Sequence, residues 1–199
     1  IVEDEPKIAG LLLGCFLMVE VPTVVADGPF GVSPGVEPES FPACQQTGGD
    51  WICGSLPGGH EAIDEYRLIA APGSGVCEVV AYGRIADDPG GAKTRKLVDR
   101  LAQQTRLKYG NRFRKFDTLY VGADLDQTQE WLTAVKADQR TYSDWWTPST
   151  GFTPTNGAAV IKIEAAGESD TVGAVKVVFR LENHETCYES ILAQESASY

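Results

Sequence analysis

Alternation of apolar and polar residues predicts strands of an antiparallel sheet in several stretches of the chain. Residues 66–71 and 76–86 flank a Pro-Gly-Ser-Gly turn signal, which predicts a β-hairpin. Residues 158–165 and 172–181 flank the polar turn AGESDTVG and predict a second hairpin. Shorter strands are expected at residues 117–121 and 141–147.

Helical periodicity appears between the two hairpins. Residues 93–109 predict an amphipathic helix that ends before Gly110, because glycine commonly terminates helices. The apolar face of this helix consists of Leu97, Val98, Leu101, Thr105 and Tyr109. A second helix, which carries Trp131, is expected after a capping box at residues 126–129.

The end of the chain predicts a third helix and completes the fold class. This helix covers residues 184–194 and follows Asn183, a favourable N-cap residue. Strands and helices do not alternate regularly along the chain. The pattern therefore predicts an α+β fold with a mainly antiparallel sheet and two or three helices. We expect a single domain over residues 27–199, with an irregular Gly/Pro-rich segment at residues 27–63.

Residues 1–26 have the pattern of a signal peptide. The apolar run at residues 8–19 is too short to cross a bilayer but has the length of a signal-peptide core. Small residues precede Ala26, so cleavage would leave Asp27 at the mature N-terminus. The start of this leader is atypical, because a basic segment is usual where this chain has Glu3, Asp4 and Glu5.

The cysteine count supports export. Removal of the leader takes Cys15 with it and leaves an even number of cysteines without Cys-x-x-Cys spacing, which favours two disulfides over a zinc site. Three pairings are possible. We favour Cys44 with Cys53, which closes a short Gly-rich loop, and Cys77 with Cys187, which ties the last helix to a strand. A periplasmic or secreted protein is expected; four reduced cysteines in a cytosolic protein are the alternative.

The charge of the chain bears on its partners. It has 28 acidic and 17 basic residues and a formal net charge of −11. A negative surface opposes binding to nucleic acid and to anionic lipid. Basic residues cluster around Lys108 and Arg112, but cations there suit the end of a helix. We expect no nucleic-acid partner, no stable membrane insertion once the leader is removed, and an unknown partner in the envelope or outside the cell.

Motifs for catalysis or cofactor binding are missing from the sequence. His60 and His184 are the only histidines, and neither belongs to a nucleophile motif. Asp124 and Asp126 mimic the start of a calcium loop, but the glycine and the final acid of such a loop are absent. No glycine-rich phosphate loop is present. We therefore expect no metal or cofactor.

An aromatic cluster is the best candidate for ligand binding. In the predicted strand, alternation places Tyr142, Asp144 and Trp146 on one face and Trp145 on the other. An exposed tryptophan suits stacking on a sugar or peptide, whereas a buried one is part of the core. The candidate ligand-binding residues are Tyr142, Trp145, Trp146 and the loop residue His60.

Short motifs along most of the chain resemble a family of uncharacterised exported bacterial proteins. They are Phe30-Gly31, Gly75-Val76-Cys77, and the asparagine and cysteine at residues 183 and 187. The resemblance implies a signal peptide and a disulfide-containing α+β domain, and it carries no activity. Between residues 32 and 44, where the family pattern has a helix, the chain is rich in proline and glycine.

Residues 1–32 also superficially resemble the start of a response-regulator receiver domain. Glu3 and Asp4 would hold magnesium there, but no phosphoacceptor strand or Lys-Pro pair follows. The sequence therefore favours a small exported domain that binds a partner or small ligand without catalysis. The alternatives are a hydrolase with dispersed acids and His60, and, with least support, a receiver-like phosphorelay fragment.

Overall fold

A computed structural model describes residues 28–120 and 130–197. The predictions for the leader, the acidic pair Glu3 and Asp4, the capping box at residues 126–129 and the calcium-like loop lie outside these residues. The strands of the described part are β1 (Cys44–Thr47), β2 (Asp50–Cys53), β3 (Glu65–Ala71), β4 (Gly75–Ile85), β5 (Arg114–Leu119), β6 (Arg140–Trp146), β7 (Ala158–Gly167) and β8 (Gly173–Leu181). Its helices are α1 (Ala92–Tyr109), α2 (Trp131–Lys136) and α3 (His184–Ala197).

All eight described strands belong to one antiparallel sheet. Their order is β1-β2-β3-β4-β8-β7-β6-β5, so the two predicted hairpins meet in the centre where β4 pairs with β8. With three helices in the described residues, the predicted α+β class with a mainly antiparallel sheet is confirmed, and the sheet is its dominant part. Strand β5 begins earlier than predicted, at Arg114, and pairs along its whole length with β6.

The turn between β3 and β4 depends on glycine. Gly75 has a φ of 59°, and a Cβ at this position would lie 2.2 Å from the carbonyl oxygen of Gly35. This close approach permits two backbone hydrogen bonds. The N–H of Gly35 donates to the carbonyl of Val76, and the N–H of Val76 donates to the carbonyl of Val36. The loop at residues 35–36 is thereby fastened to the first residues of β4.

Strands β1 and β2 form a hairpin within residues 27–63, the segment for which the sequence predicts irregular Gly/Pro-rich structure. Cys44 lies directly opposite Cys53 in this hairpin, with a Cα–Cα distance of 4.0 Å, and the two form a disulfide. A second disulfide joins Cys77 to Cys187. Both favoured pairings are therefore present in the structure.

The helices lie on opposite faces of the sheet. Helices α1 and α2 pack on the face formed by β6, β7 and β8 and cover an apolar core. Central members of this core are Leu68, Val79, Leu101, Ile161, Ile163, Val175, Val177 and Phe179. Helix α3 packs on β3 and β4 and surrounds the Cys77–Cys187 disulfide. The other face of β6, β7 and β8 is not packed by any helix in the described residues.

The ends of the helices are held by polar contacts that differ in part from the prediction. Helix α1 ends before Gly110, as predicted, but its first turn is capped by Asp88, which accepts the N–H groups of Lys93 and Thr94. Asn183 lies at the N-cap position of α3, as predicted, and its carbonyl accepts the N–H of Cys187, but its side chain does not cap the helix. Its Nδ2 donates to the carbonyls of Ser74 and Val76 across the β3–β4 turn, and its Oδ1 accepts no hydrogen bond within the described chain.

None of the helices in the described residues has both the length and the apolar character that a bilayer-crossing helix needs.

Candidate ligand-binding site

A pocket of about 300 Å³ lies between the second half of α1 and the sheet. Its floor is apolar and is formed by Ile163 of β7 and by Val177 and Phe179 of β8. Helix α1 forms one wall and two loops form the other. The wall residues are Leu101, Gln104, Thr105, Lys108 and Tyr109 on α1 and Pro29, Phe30, Gly58, Gly59 and His60 on the loops.

The loop wall is rigidly packed. Phe30 lies in a 3₁₀ turn, Pro29–Gly31, and its ring makes edge contacts with Tyr66 and Phe179 at centroid distances of 5.1 and 5.4 Å. The N–H of Gly58 donates to the carbonyl of Phe30 at 2.9 Å. A Cβ on Gly58 would lie 2.8 Å from the Phe30 backbone, so the two loops touch backbone to backbone. The sheet and these loops therefore give the pocket a preformed shape.

His60 lies at the rim of the pocket in a defined tautomer. The N–H of Ala62 donates to His60 Nδ1 at 3.0 Å, so Nδ1 is an acceptor without a proton. Nε2 then carries the proton and donates to Oε1 of Gln104 on α1 at 3.1 Å. Both ring nitrogens are occupied, and the imidazole links the loop to α1. The ring is therefore not free to act as a general base or metal ligand in this conformation.

Tyr109 is the most unusual polar residue of the pocket. Its side chain is 7% exposed, and its hydroxyl has no hydrogen-bond partner among the described residues. Burial raises the pKa of the Tyr109 hydroxyl, so the group is a neutral donor. Most buried polar groups are hydrogen-bonded, and an exception calls for an explanation. The Tyr109 side chain lines this pocket and a neighbouring one formed with residues 110–112 and 152–155, and its hydroxyl is a donor that no described residue uses.

Lys108 supplies a cation to the same pocket. Its Nζ donates to the carbonyl of Gly28 at 3.3 Å and lies 5.3 Å from the centroid of the Tyr109 ring. The Lys108 side chain is exposed, so the ammonium group lies near the Tyr109 ring while it remains in contact with water. The pocket thus combines an apolar floor with a neutral donor and a positive charge.

Tyr142, a predicted ligand-binding residue, lies outside this pocket on the helix-facing side of β6. It is 6% exposed, and its hydroxyl donates to Asp99 of α1 at 2.8 Å. It also accepts from Lys115 of β5 at 2.9 Å, and Lys115 in turn contacts Asp99 at 2.5 Å. Burial raises the pKa of the Tyr142 hydroxyl. The three residues hold α1 against the edge of the sheet.

The two adjacent tryptophans point to opposite faces, as the alternation predicts. Trp146 has no exposed surface; its Nε1 donates to the carbonyl of Gly110 at 2.9 Å and its ring stacks on Phe113. Trp145 lies half-buried on the face away from α1, where it lines a second, more polar pocket. The four predicted residues therefore occupy three places, and only His60 belongs to the pocket beneath α1.

A buried carboxylate lies near Tyr142. Asp144 is fully buried, its Oδ1 is 3.5 Å from the guanidinium of Arg106, and its Oδ2 has no partner in the part of the chain that the structure describes. Burial raises the pKa of Asp144, and the opposing effects of Lys115 and Arg106 do not cancel this. The sequence holds the signal for this burial, because strand alternation places Asp144 on the same face as Trp146.

The described residues contain no group of three or more His, Cys, Asp and Glu side chains arranged to hold a metal ion. No family model matches the chain, and neither the curated proteins nor the solved structures give a significant match. The resemblance to exported bacterial proteins therefore stays a prediction.

Proposed function

We propose that this protein is an exported binding domain that holds a small amphipathic ligand in the pocket beneath α1. The observation that carries the proposal is an apolar pocket walled by Lys108 and by Tyr109, whose buried hydroxyl has no partner among the described residues. A few fixed polar groups around an apolar cavity are typical of small-molecule sites. Here those groups are Tyr109, Lys108 and the hydrogen-bonded pair His60 and Gln104.

The lining indicates the chemistry of the ligand. Ile163, Val177 and Phe179 favour an apolar body, because contact with them removes apolar surface from water. Tyr109 can donate a hydrogen bond, and Lys108 adds a positive charge. A carboxylate head group can accept the hydrogen bond from Tyr109 and pair with the ammonium group of Lys108. A volume of about 300 Å³ is at the small end of ligand pockets, which favours a short-chain or single-ring carboxylate.

Export is supported by the disulfides. Two disulfides fit an oxidising compartment outside the cytoplasm, since cytosolic thiols are kept reduced. Together with the signal-peptide pattern of residues 1–26, they support a location in the periplasm or secretion from the cell, where the ligand or an envelope partner would be met.

The hydrolase alternative has less support. It requires His60 as a base, and both nitrogens of this ring are already hydrogen-bonded, to Ala62 and Gln104. The phosphorelay alternative rests on Glu3 and Asp4 without a phosphoacceptor. Binding without catalysis is therefore the function that the geometry supports best.

Titration with octanoate and with the fluorescent probe anilinonaphthalene sulfonate tests the proposal. Both probes combine an apolar body with an anionic head. Gln104→Trp places an indole over the mouth of the pocket, whereas Gln103→Trp places the same group on an exposed α1 position that does not line it. We expect the wild type and Gln103→Trp to bind both probes and Gln104→Trp to bind neither. Absence of binding to the wild type, or equal binding by both variants, would refute the proposal.

A further inference from the structure

We propose that the face of the sheet opposite α1 carries a separate carbohydrate-binding site centred on Trp145. A pocket of about 350 Å³ lies on this face, over β4, β6, β7 and β8. The sheet separates it from the pocket beneath α1, and the two pockets share no lining residue. This second site is therefore independent of the proposed function.

The strand register assembles the site from neighbouring positions. Trp145 of β6 lies opposite Lys162 of β7, and Lys162 lies opposite Val178 of β8. One step along the strands, Glu164 of β7 lies opposite Lys176 of β8. Side chains directly opposite each other in an antiparallel pair are in contact distance on one face. The sheet therefore presents an aromatic, an aliphatic and several ionised side chains side by side.

The Trp145 ring is held in position by three neighbours. Its Nε1 donates to Oγ of Ser143 at 2.9 Å. Its ring lies 5.0 Å from the Phe116 ring and 4.9 Å from Nζ of Lys162. An aromatic side chain with a fixed orientation loses little conformational freedom when a ligand stacks on it. The C–H face of a pyranose ring is a suitable ligand surface for such a half-buried indole.

The ionised groups around Trp145 are paired with each other. Glu164 contacts Nζ of Lys162 at 2.5 Å and Nζ of Lys176 at 3.8 Å. Arg180 contacts Glu78 at 3.3 Å in the same pocket. Carboxylates and cations thus alternate across the site, and their side chains are partly buried.

This alternation determines which class of ligand fits. A free anion would come close to Glu164 and Glu78, and a free cation would come close to the lysines and Arg180. Like-charge contacts of this kind oppose binding. A hydroxyl group both donates and accepts, so a neutral polyol can donate to the carboxylates and accept from the cations. Together with stacking on Trp145 and contact with Val178, this chemistry selects a neutral sugar.

Saturation-transfer NMR and calorimetry with three neutral trisaccharides test the inference: maltotriose, cellotriose and triacetylchitotriose. Trigalacturonate and the peptides trilysine and triglutamate represent the charged classes. We expect at least one neutral trisaccharide to bind and the charged probes to bind at least tenfold more weakly. Failure of all three neutral sugars to bind, or binding of only a charged probe, would overturn the inference.

Variants locate the site. Trp145→Ala should reduce sugar affinity at least tenfold, and Glu164→Gln, which keeps the shape of the side chain, should reduce it severalfold. Tyr82→Ala is the matched control, because Tyr82 is an aromatic on the same face that lines a different pocket. It should change the affinity less than twofold. Equal sugar affinity in the wild type, Trp145→Ala and Glu164→Gln would contradict the inference. Octanoate binding by the same variants should not change, which separates this site from the pocket beneath α1.

Discussion

Cys77 and Cys187 join β4 to α3 across 110 positions of sequence. Cys187 is also the one buried residue of α3, which lies on the sheet with its remaining side chains exposed or half-buried. An amphipathic helix normally docks through a stripe of apolar residues. In α3 this stripe is short, since only Cys187, Tyr188 and Ile191 pack against the sheet residues Ile69 and Ala71, so the covalent bond adds much of the docking.

Replacement of both Cys77 and Cys187 by serine should therefore detach α3. In the chain-entropy model, loss of this disulfide lowers the free energy of unfolding by about 5 kcal/mol, against about 3 kcal/mol for the Cys44–Cys53 bridge with its separation of 9. Urea unfolding measures the two losses. Hydrogen exchange should show fast exchange in α3 and continued protection in β7 and β8. Unchanged protection of α3 would show that it docks without the disulfide.

Tyr109→Phe should act in opposite directions on stability and on binding. The hydroxyl is buried without a partner, so its removal relieves a desolvation cost of about 1–3 kcal/mol and raises the free energy of unfolding. The same change removes the donor that we assign to the ligand, and octanoate affinity should fall about tenfold. Urea unfolding and octanoate titration on the same preparations test this. A variant that is less stable than the wild type would mean that the hydroxyl has a partner in the folded protein.

Lys108→Met should distinguish the contribution of the ligand's charge to the binding affinity from the contribution of its apolar body. Methionine keeps most of the aliphatic chain and removes the ammonium group, so octanoate should bind about fivefold more weakly, as expected for a partly exposed ion pair of about 1 kcal/mol. The neutral probe octanol should bind the variant and the wild type alike. Lys96→Met, at an exposed α1 position that does not line the pocket, is the control. A loss of octanol affinity in Lys108→Met would point to changed packing rather than charge.

Much of the fold could be predicted because its signals are local. The turn before Gly75, the apolar face of α1 with its stop at Gly110, and the alternation that separates Trp145 from Trp146 each depend on a few adjacent residues. The even number of cysteines left after removal of the leader made the pairing of Cys77 with Cys187 a reasonable choice among three. These predictions agree with the structure because local preference and tertiary packing favour the same result.

The β1–β2 hairpin and the pocket could not be predicted in the same way. The residues of β1 are exposed or half-buried, so they show no apolar alternation. Among the described strands, β1 pairs only with β2, which in turn pairs with β3, and the Cys44–Cys53 bridge links β1 to β2. The pocket combines residues near positions 30, 60, 105 and 178. Tyr109 was correctly expected on the buried face of α1, but its unpartnered hydroxyl results from the apolar strands opposite, which are distant in sequence.

Asp144 gives a prediction for pH. Burial raises the pKa of its carboxyl above the ordinary value of 3.8, so the folded protein binds the proton more tightly than the unfolded chain does. The stability associated with this protonated group is fully present below about pH 3.8 and is lost as the pH rises through the folded-state pKa. In Asp144→Asn the side chain cannot ionise, so the variant keeps its stability as the pH rises. The difference in the free energy of unfolding, variant minus wild type, should therefore increase from pH 3 to pH 7.

The groups that face Asp144 determine how this experiment is controlled. Arg106 and Lys115 lower the pKa of Asp144, and Asp99 raises it. Asp99→Asn removes an exposed carboxylate from the same cluster and leaves the buried Asp144 in place, so this variant should not reproduce the pH-dependent gain. Urea unfolding of both variants and the wild type at several pH values provides the comparison. If the advantage of Asp144→Asn instead decreased as the pH rises, the attraction of Arg106 and Lys115 would outweigh burial, and the pair would be a stabilising ion pair.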